Sequence, residues 1–401
     1  MKKLRILQIC HNGSWVLPLL KELETQANIM CIYPSEREHI RDKMTYAIAD
    51  VYRKRIEQFA PDIIHVHGTE KNYGQLQHYY PKIPVVVSIQ GVLTGYIPYA
   101  TAQLTRKDVL PYWTLKNIFK RGGLMQPYRT LVHGSKAFEE DILQSCRYFF
   151  CRTDWDRMWV RKYNHNAQIY QGEELLRPAF YAKAGQWKKE NAVKHSIFMP
   201  SGFNPIKGLH HAIKALNKIK ATCPDVTLRV PGIPLNIYNR RGLVYRICGE
   251  EYLGYIKHLI DALQLKEHVI ILPPLSAEEM AAEMLRANVF LSPTSIDNSP
   301  NAVGEAMMLG LPIVSTPVGG VPSFVHHEEN GLLAEPDALA SAIIRIFDNP
   351  TLAKSLGTKA YHTALRRHDR KQTAEQYMSA YQDIVQLNKD VNRSNFEITR
   401  R

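Results

Sequence analysis

The sequence predicts an α/β fold built as two doubly wound domains, each around its own parallel sheet. Short runs rich in β-branched residues alternate with longer amphipathic segments from the first residues onward, which is the pattern of βαβ units. The alternation runs through one series and then restarts, so two sheets are expected. Between the series lies AGQWKKENAVKH, Ala184 to His195, a polar and charged stretch that reads as a linker. A chain of 401 residues with 45% apolar and 22% charged residues has room for two such domains, and no disordered or low-complexity tract interrupts it.

In order, the first series offers LRILQIC, NIMCIY, PDIIHVHG, PVVVSIQG and RYFFCRT as strands, with helices such as Arg37 to Phe59 between them. The second offers HSIFMPSG, VTLRVPG, HVIILPP, NVFLSPT and PIVSTPVGG. A helix begins near Lys207 and carries Leu209, Ala212, Ile213, Leu216 and Ile219 on one face. The last helices run from Pro336 to about Leu387 and give way to a charged tail with little to bury. The expected domains are therefore 1–190 and 191–365, with a terminal segment 366–401 whose helix packs back on the first. Domains of this kind bind ligands outside the carboxyl ends of their strands, so the expected site is a cleft that both sheets face.

A formal charge of +13 favours anionic partners. No nucleic-acid-binding module accompanies it, so nucleic acid is not expected. The six cysteines form no CxxC pair and read as reduced core residues of a cytoplasmic protein. The opening MKKLRILQICHNG has too short an apolar run for a signal peptide, and the longest uncharged stretch, Ile83 to Thr105, is broken by Pro84, Gly91, Gly95 and Pro98. Between Gln103 and Lys136, Arg106, Lys107, Lys116, Lys120, Arg121 and Arg129 interleave with Tyr112, Trp113, Phe119 and Tyr128, a combination suited to an anionic membrane surface. Peripheral association with the inner leaflet is the expectation.

The segment Ser292 to Gly320 is the richest in chemistry. After the strand NVFLSPT, Ser299 can cap a helix and Pro300 fits its first position. The helix Asn301 to Leu309 is apolar almost all round and must be buried, so the carboxylate of Glu305 needs a partner. A ribose diol would serve, because one carboxylate can accept two O–H bonds; a structural ion pair with a basic neighbour is the plainer alternative. The helix N-terminus suits a diphosphate, and Asp297 on the preceding loop suits sugar hydroxyls. Lys207, at the start of the earlier helix, is poorly placed unless an anion sits nearby.

The string DNSPNAVGEAMMLGLPIVSTPVGG resembles the signature of glycosyltransferase family 4. That resemblance implies a GT-B fold of two Rossmann-like domains, a nucleotide-sugar held by the second, and an acceptor-side first domain. It implies catalytic roles for Lys207, Asp297 and Glu305, with Lys207 on the diphosphate, Asp297 on the donor sugar and Glu305 on the ribose. Asn298, Ser299, Pro300 and Asn301 complete the donor loop, while Gly13, Gly319 and Gly320 let backbone approach the ligand. His67 and Gln90 lie on the acceptor side. The chain departs from the family pattern at Gly202, Gln90 and Ser323, where members often carry Arg, His and an acid. The implied activity is sugar transfer with retention to a glycan or lipid-linked acceptor in bacterial polysaccharide or lipid-linked glycan synthesis. Rivals are a GT-B epimerase or phosphorylase and a catalytically inert scaffold.

Neither a metal nor a cofactor is expected. His65 and His67 share a strand face but lack further ligands at telling spacing. Asp154-Trp155-Asp156 spells DxD but reads as a helix start capped by Thr153 or Asp154, with Arg152 beside it as an additional cleft residue. Ser276 with Glu279 reads as a capping box. No GxGxxG follows the first strand, which disfavours a redox dinucleotide protein.

Overall fold

The computed structural model describes residues 3–10, 16–33, 47–115, 126–232 and 251–398. The chain divides into two compact units. The first holds a six-stranded sheet of β1 (Arg5–Cys10), β2 (Asn28–Ile32), β3 (Ile63–His67), β4 (Val85–Ser88), β5 (Tyr148–Cys151) and β6 (Gln168–Gln171), in the order β2-β1-β3-β4-β5-β6. Every pairing is parallel. Strands β3, β4 and β5 are buried along their whole length, which is why they read as nearly unbroken apolar runs.

The second unit holds β7 (Ser196–Phe198), β8 (Thr227–Pro231), β9 (Val269–Leu272), β10 (Val289–Ser292), β11 (Ile313–Ser315) and β12 (Leu332–Leu333), ordered β12-β11-β10-β7-β8-β9 and again all parallel. Its first strand, β7, lies beside its fourth, β10. Strand order reverses there, and the loops leaving β7 and β10 diverge to opposite sides and open a crevice between them. The helices Leu209–Lys220 and Asn301–Leu309 follow those two strands. Leu209, Ala212, Ile213, Leu216 and Ile219 are all buried, as the 3.6-residue spacing predicts.

The chain passes between the units at residues differing from the expected boundary near 190. The first unit comprises Met1–Gly95, Leu131–Leu175 and His368–Arg401, and the second Tyr96–Thr130 and Leu176–Arg367. Packing explains the difference. Leu176, Ala179 and Phe180 join the core of the second unit, as do Leu104 and Val109, and His210 Nε2 lies 3.0 Å from the Ala102 carbonyl. The terminal helix Arg370–Ile398 buries Tyr377, Tyr381 and Ile384 in one cluster with Ile6, Val86 and Phe150 of the first unit. This helix continues through most of the charged segment expected to be a tail. Among the described residues Cys10, Cys31, Cys146, Cys151 and Cys223 are free thiols, and no helix is long and apolar enough to cross a membrane.

Candidate active site

The crevice between β7 and β10 is built by two loops tied to each other. Asn204 caps a 3-10 turn, Pro205–Lys207, by accepting from the Ile206 N–H. The Ile206 carbonyl in turn accepts from the Ser295 N–H at 2.8 Å and the Thr294 hydroxyl at 3.0 Å, which fixes the loop after β10 beside the loop after β7. Gly208 has φ of +78°, and a Cβ there would fall 1.9 Å from the Pro293 carbonyl oxygen. Gly319 has φ of +54°, and its Cβ would fall 2.2 Å from the Asp297 carbonyl oxygen, which accepts from the Gly320 N–H at 2.9 Å. The positive φ favours glycine at both positions, and the close approach to a backbone carbonyl leaves no room for a Cβ. The two loops are thereby held close enough for Lys207 Nζ to donate to Asp297 Oδ2 at 2.7 Å.

Glu305 lies in the middle of the helix Asn301–Leu309, where Val303 through Leu309 are all buried. Its carboxylate accepts from Arg177 Nε at 2.6 Å and Nη2 at 2.8 Å, a two-point ion pair. The basic neighbour weighed from sequence as the plain partner is therefore present, and it comes from 128 residues away. Burial pushes the Glu305 carboxyl above its ordinary range, while the Arg177 bonds and charge pull the other way. Arg177 itself is held above its ordinary value, chiefly by the bonds to Glu305. The guanidinium also rests over the Phe180 ring at 4.9 Å from its centre. No sequence pattern flags Arg177: its only local signal is the proline that follows it and starts the helix Pro178–Ala182.

Arg177, Lys207, Asp297, Ser299, Asn301 and Glu305 line one pocket of about 310 Å³ in the second unit, floored by apolar side chains such as Met199, Met284 and Leu291. Ser299 and Pro300 differ from the expectation. Pro300, not Ser299, occupies the N-cap position of the helix, and no side chain caps it. The Pro300 backbone, at φ of −77° and ψ of 89°, leads the chain into the helix one residue later than expected. The Ser299 hydroxyl and both polar atoms of the Asn298 side chain are buried with no hydrogen-bond partner among the described residues. Such groups are costly to leave unmatched. The Asn298 backbone N–H donates to the Tyr96 hydroxyl at 2.9 Å.

The first unit positions its expected residues differently. Gly13 lies outside the described residues. His67 is buried, with Nε2 2.7 Å from Gln8 Oε1, and His65 bridges the Tyr381 hydroxyl and Ser88 Oγ, each at 2.7 Å. Burial pushes His67 down to about 3 and His65 well below its usual range, so both are neutral. Gln90 Oε1 accepts from Arg152 Nη2 at 3.2 Å. Arg152, expected as an additional cleft residue, is buried and paired with Glu174 at 2.8 Å. Thr153 caps the helix Asp154–Tyr163 and Asp156 closes its capping box, so the DxD run is structural. Ser276 and Glu279 form the expected box. Among the described residues no group of three His, Cys, Asp or Glu side chains converges to hold a metal ion.

At its reversal point the parallel sheet of the second unit brings together a lysine, two acids and the start of a helix that no side chain caps. Residues 185–363 match the model of the family described as glycosyl transferases group 1. The chain is 24% identical over 213 residues to D-inositol 3-phosphate glycosyltransferase of Pseudarthrobacter chlorophenolicus, covering 48% of each protein. It is 34% identical over 144 residues to a putative colanic acid biosynthesis glycosyltransferase of Salmonella typhimurium, covering 34% of this chain and 31% of that one. The chain thus spans half or less of the length of these relatives. The structure of Anabaena HepE in complex with UDP-glucose aligns with a TM-score of 0.62 at 15% identity, over 94% of this chain and 100% of that one. With both sheets in place, this likeness makes the fold GT-B.

Proposed function

We propose that this protein transfers a sugar from a nucleotide-sugar to an acceptor hydroxyl, with retention of anomeric configuration. The observation that carries the reading is the single pocket in which Lys207, Asp297, Glu305 and the start of the helix Asn301–Leu309 meet. Glu305 accepts the ribose hydroxyls. Asp297 takes hydroxyls of the donor sugar, and Lys207 with the helix N-terminus faces the diphosphate, where charge develops as the leaving group departs. The acceptor oxygen bonds to the anomeric carbon as the bond from that carbon to the diphosphate oxygen breaks, and the acceptor's proton passes to the departing phosphate. Positive charge at the leaving group comes from the protein, so the reaction needs no metal. The acceptor is a glycan or lipid-linked glycan, a reading supported by the colanic acid biosynthesis role in the name of the Salmonella relative.

The protein works at the inner face of a membrane by surface contact. Ile97, Tyr99, Leu110 and Leu115 are exposed apolar side chains in the same segment as exposed Arg106 and Lys107, which supports that placement. Lys116, Lys120, Arg121 and Phe119 lie outside the described residues. Flotation with vesicles of anionic and of neutral lipid checks this, with equal recovery from both as the contrary result.

Incubation with UDP-, GDP- and ADP-sugars in the presence of chelator, with and without a glycan acceptor, tests the activity. Acceptor-dependent release of one nucleoside diphosphate, with an axial or equatorial linkage matching the donor, is the expected result. Conversion of the donor without acceptor would mark an epimerase, sugar phosphate formed from a glycan and phosphate a phosphorylase, and no turnover at all an inert scaffold.

A further inference from the structure

We propose that Arg177 is a positioning residue for the donor site, which holds the Glu305 carboxylate in the orientation that accepts the two hydroxyls of a nucleotide ribose. The inference rests on the donor-site reading above and assigns a role to a residue that this reading does not use.

Glu305 stands on a helix whose neighbouring side chains are apolar, and its own side chain is only 6% exposed. A free carboxylate there could rotate about its terminal bond and would carry an uncompensated charge. Arg177 removes both freedoms. Two parallel N–H···O bonds, at 2.6 and 2.8 Å, fix the carboxylate plane. The guanidinium is itself steadied by the fully buried ring of Phe180. An ionised carboxylate has about four lone-pair sites, so the fork leaves one on each oxygen. Two acceptors at fixed spacing match a cis diol. A lysine could supply charge at this place but would not set the plane, because its ammonium is a point charge on a flexible stem. The Arg177 side chain is 42% exposed, so it is not a core tie enclosed between two helices. It lines the same pocket as Lys207 and Asp297.

Calorimetric titration of UDP, GDP and ADP, each beside its 2′-deoxy counterpart, tests the role in the wild type, Arg177→Lys, Arg177→Met and Glu305→Gln, with thermal unfolding confirming that each variant is folded. The wild type should bind one ribonucleotide roughly tenfold or more tightly than its 2′-deoxy form, the scale of a lost hydrogen bond to a charged acceptor. Both Arg177 variants should shrink that ratio towards the value of Glu305→Gln. In Arg177→Met, affinity should also begin to fall at a higher pH than in the wild type, because the carboxyl loses the bonds that oppose its burial. A folded Arg177→Lys that keeps the wild-type ratio would overturn the proposal while leaving the donor site standing. A wild type that binds none of the nucleotides would overturn the donor-site reading, and this inference with it.

Discussion

Replacing Gly319 by alanine gives a sharp test of how the site is held, because Gly232 supplies a matched control. Both glycines have positive φ, +54° and +76°, so an alanine at either adopts the left-handed conformation at a cost of about 1 kcal/mol. Both substitutions also lower the entropy of the unfolded chain alike, and that effect cancels in the comparison. At Gly232 the new Cβ meets nothing within 4 Å among the described residues, whereas at Gly319 it falls 2.2 Å from the Asp297 carbonyl oxygen. The carbonyl must retreat by about 1 Å to reach ordinary contact. That breaks the bond from the Gly320 N–H at 2.9 Å, which costs about 1 kcal/mol more. Gly319→Ala should therefore lower stability by roughly 2 kcal/mol, about twice the loss in Gly232→Ala. Moving Asp297 by that distance should also reduce turnover on the order of a hundredfold. Urea unfolding of both variants, with donor turnover of Gly319→Ala, measures the two effects. Equal midpoints for the two variants, with Gly319→Ala retaining full turnover, would refute the claim that this glycine sets the position of Asp297.

Lys207→Ala should reduce kcat/KM by roughly a hundredfold to a thousandfold, as expected when one fixed charge at a leaving group is removed; loss confined to KM in steady-state assays would point to plain binding instead. Arg152→Ala should destabilise the first unit by about 3–5 kcal/mol because it removes the cation paired with the buried Glu174, whereas Lys371→Ala, which breaks an exposed pair with Glu375, should scarcely move the thermal midpoint. Acid should unfold the protein through its buried histidines: His67 and His210 are pushed down to about 3 and His211 to about 4, with His65 also lowered, all chiefly by burial. The unfolded chain takes up protons as pH falls through about 6.5 and the folded chain does not, so stability is full above that pH and declines below it by about 1.4 kcal/mol per pH unit for each such histidine. Urea midpoints that stay level from about pH 7 to about pH 5 would contradict this.

Most of the two sheets was legible because their central strands are buried on both faces and so appear as β-branched runs. The edges were not. Strand β6, Gln168–Gln171, has glutamine at both ends and no fully buried residue, and β12 is two residues long. The assignment of residues 96–130 to the second unit was also hidden, since it depends on contacts such as His210 with Ala102 that join distant parts of the chain. At the site, the burial of Glu305 followed from the apolar character of its helix. Its partner did not, because Arg177 meets Glu305 through packing of the helix Pro178–Ala182 and no periodicity relates the two. Ser299 misled for a local reason: serine before proline is a strong capping signal, yet here the proline stands at the cap and the serine hydroxyl is left for another partner.

The central claim is that the pocket of the second unit holds a nucleotide through Glu305. Calorimetric titration with UDP, GDP, ADP and CMP in the presence of chelator, on the wild type and on Glu305→Ala, tests it most directly. The account predicts that one of these nucleotides binds without metal and that the substitution abolishes the binding. Equal affinity in both proteins, or no binding of any nucleotide to the wild type, would contradict it.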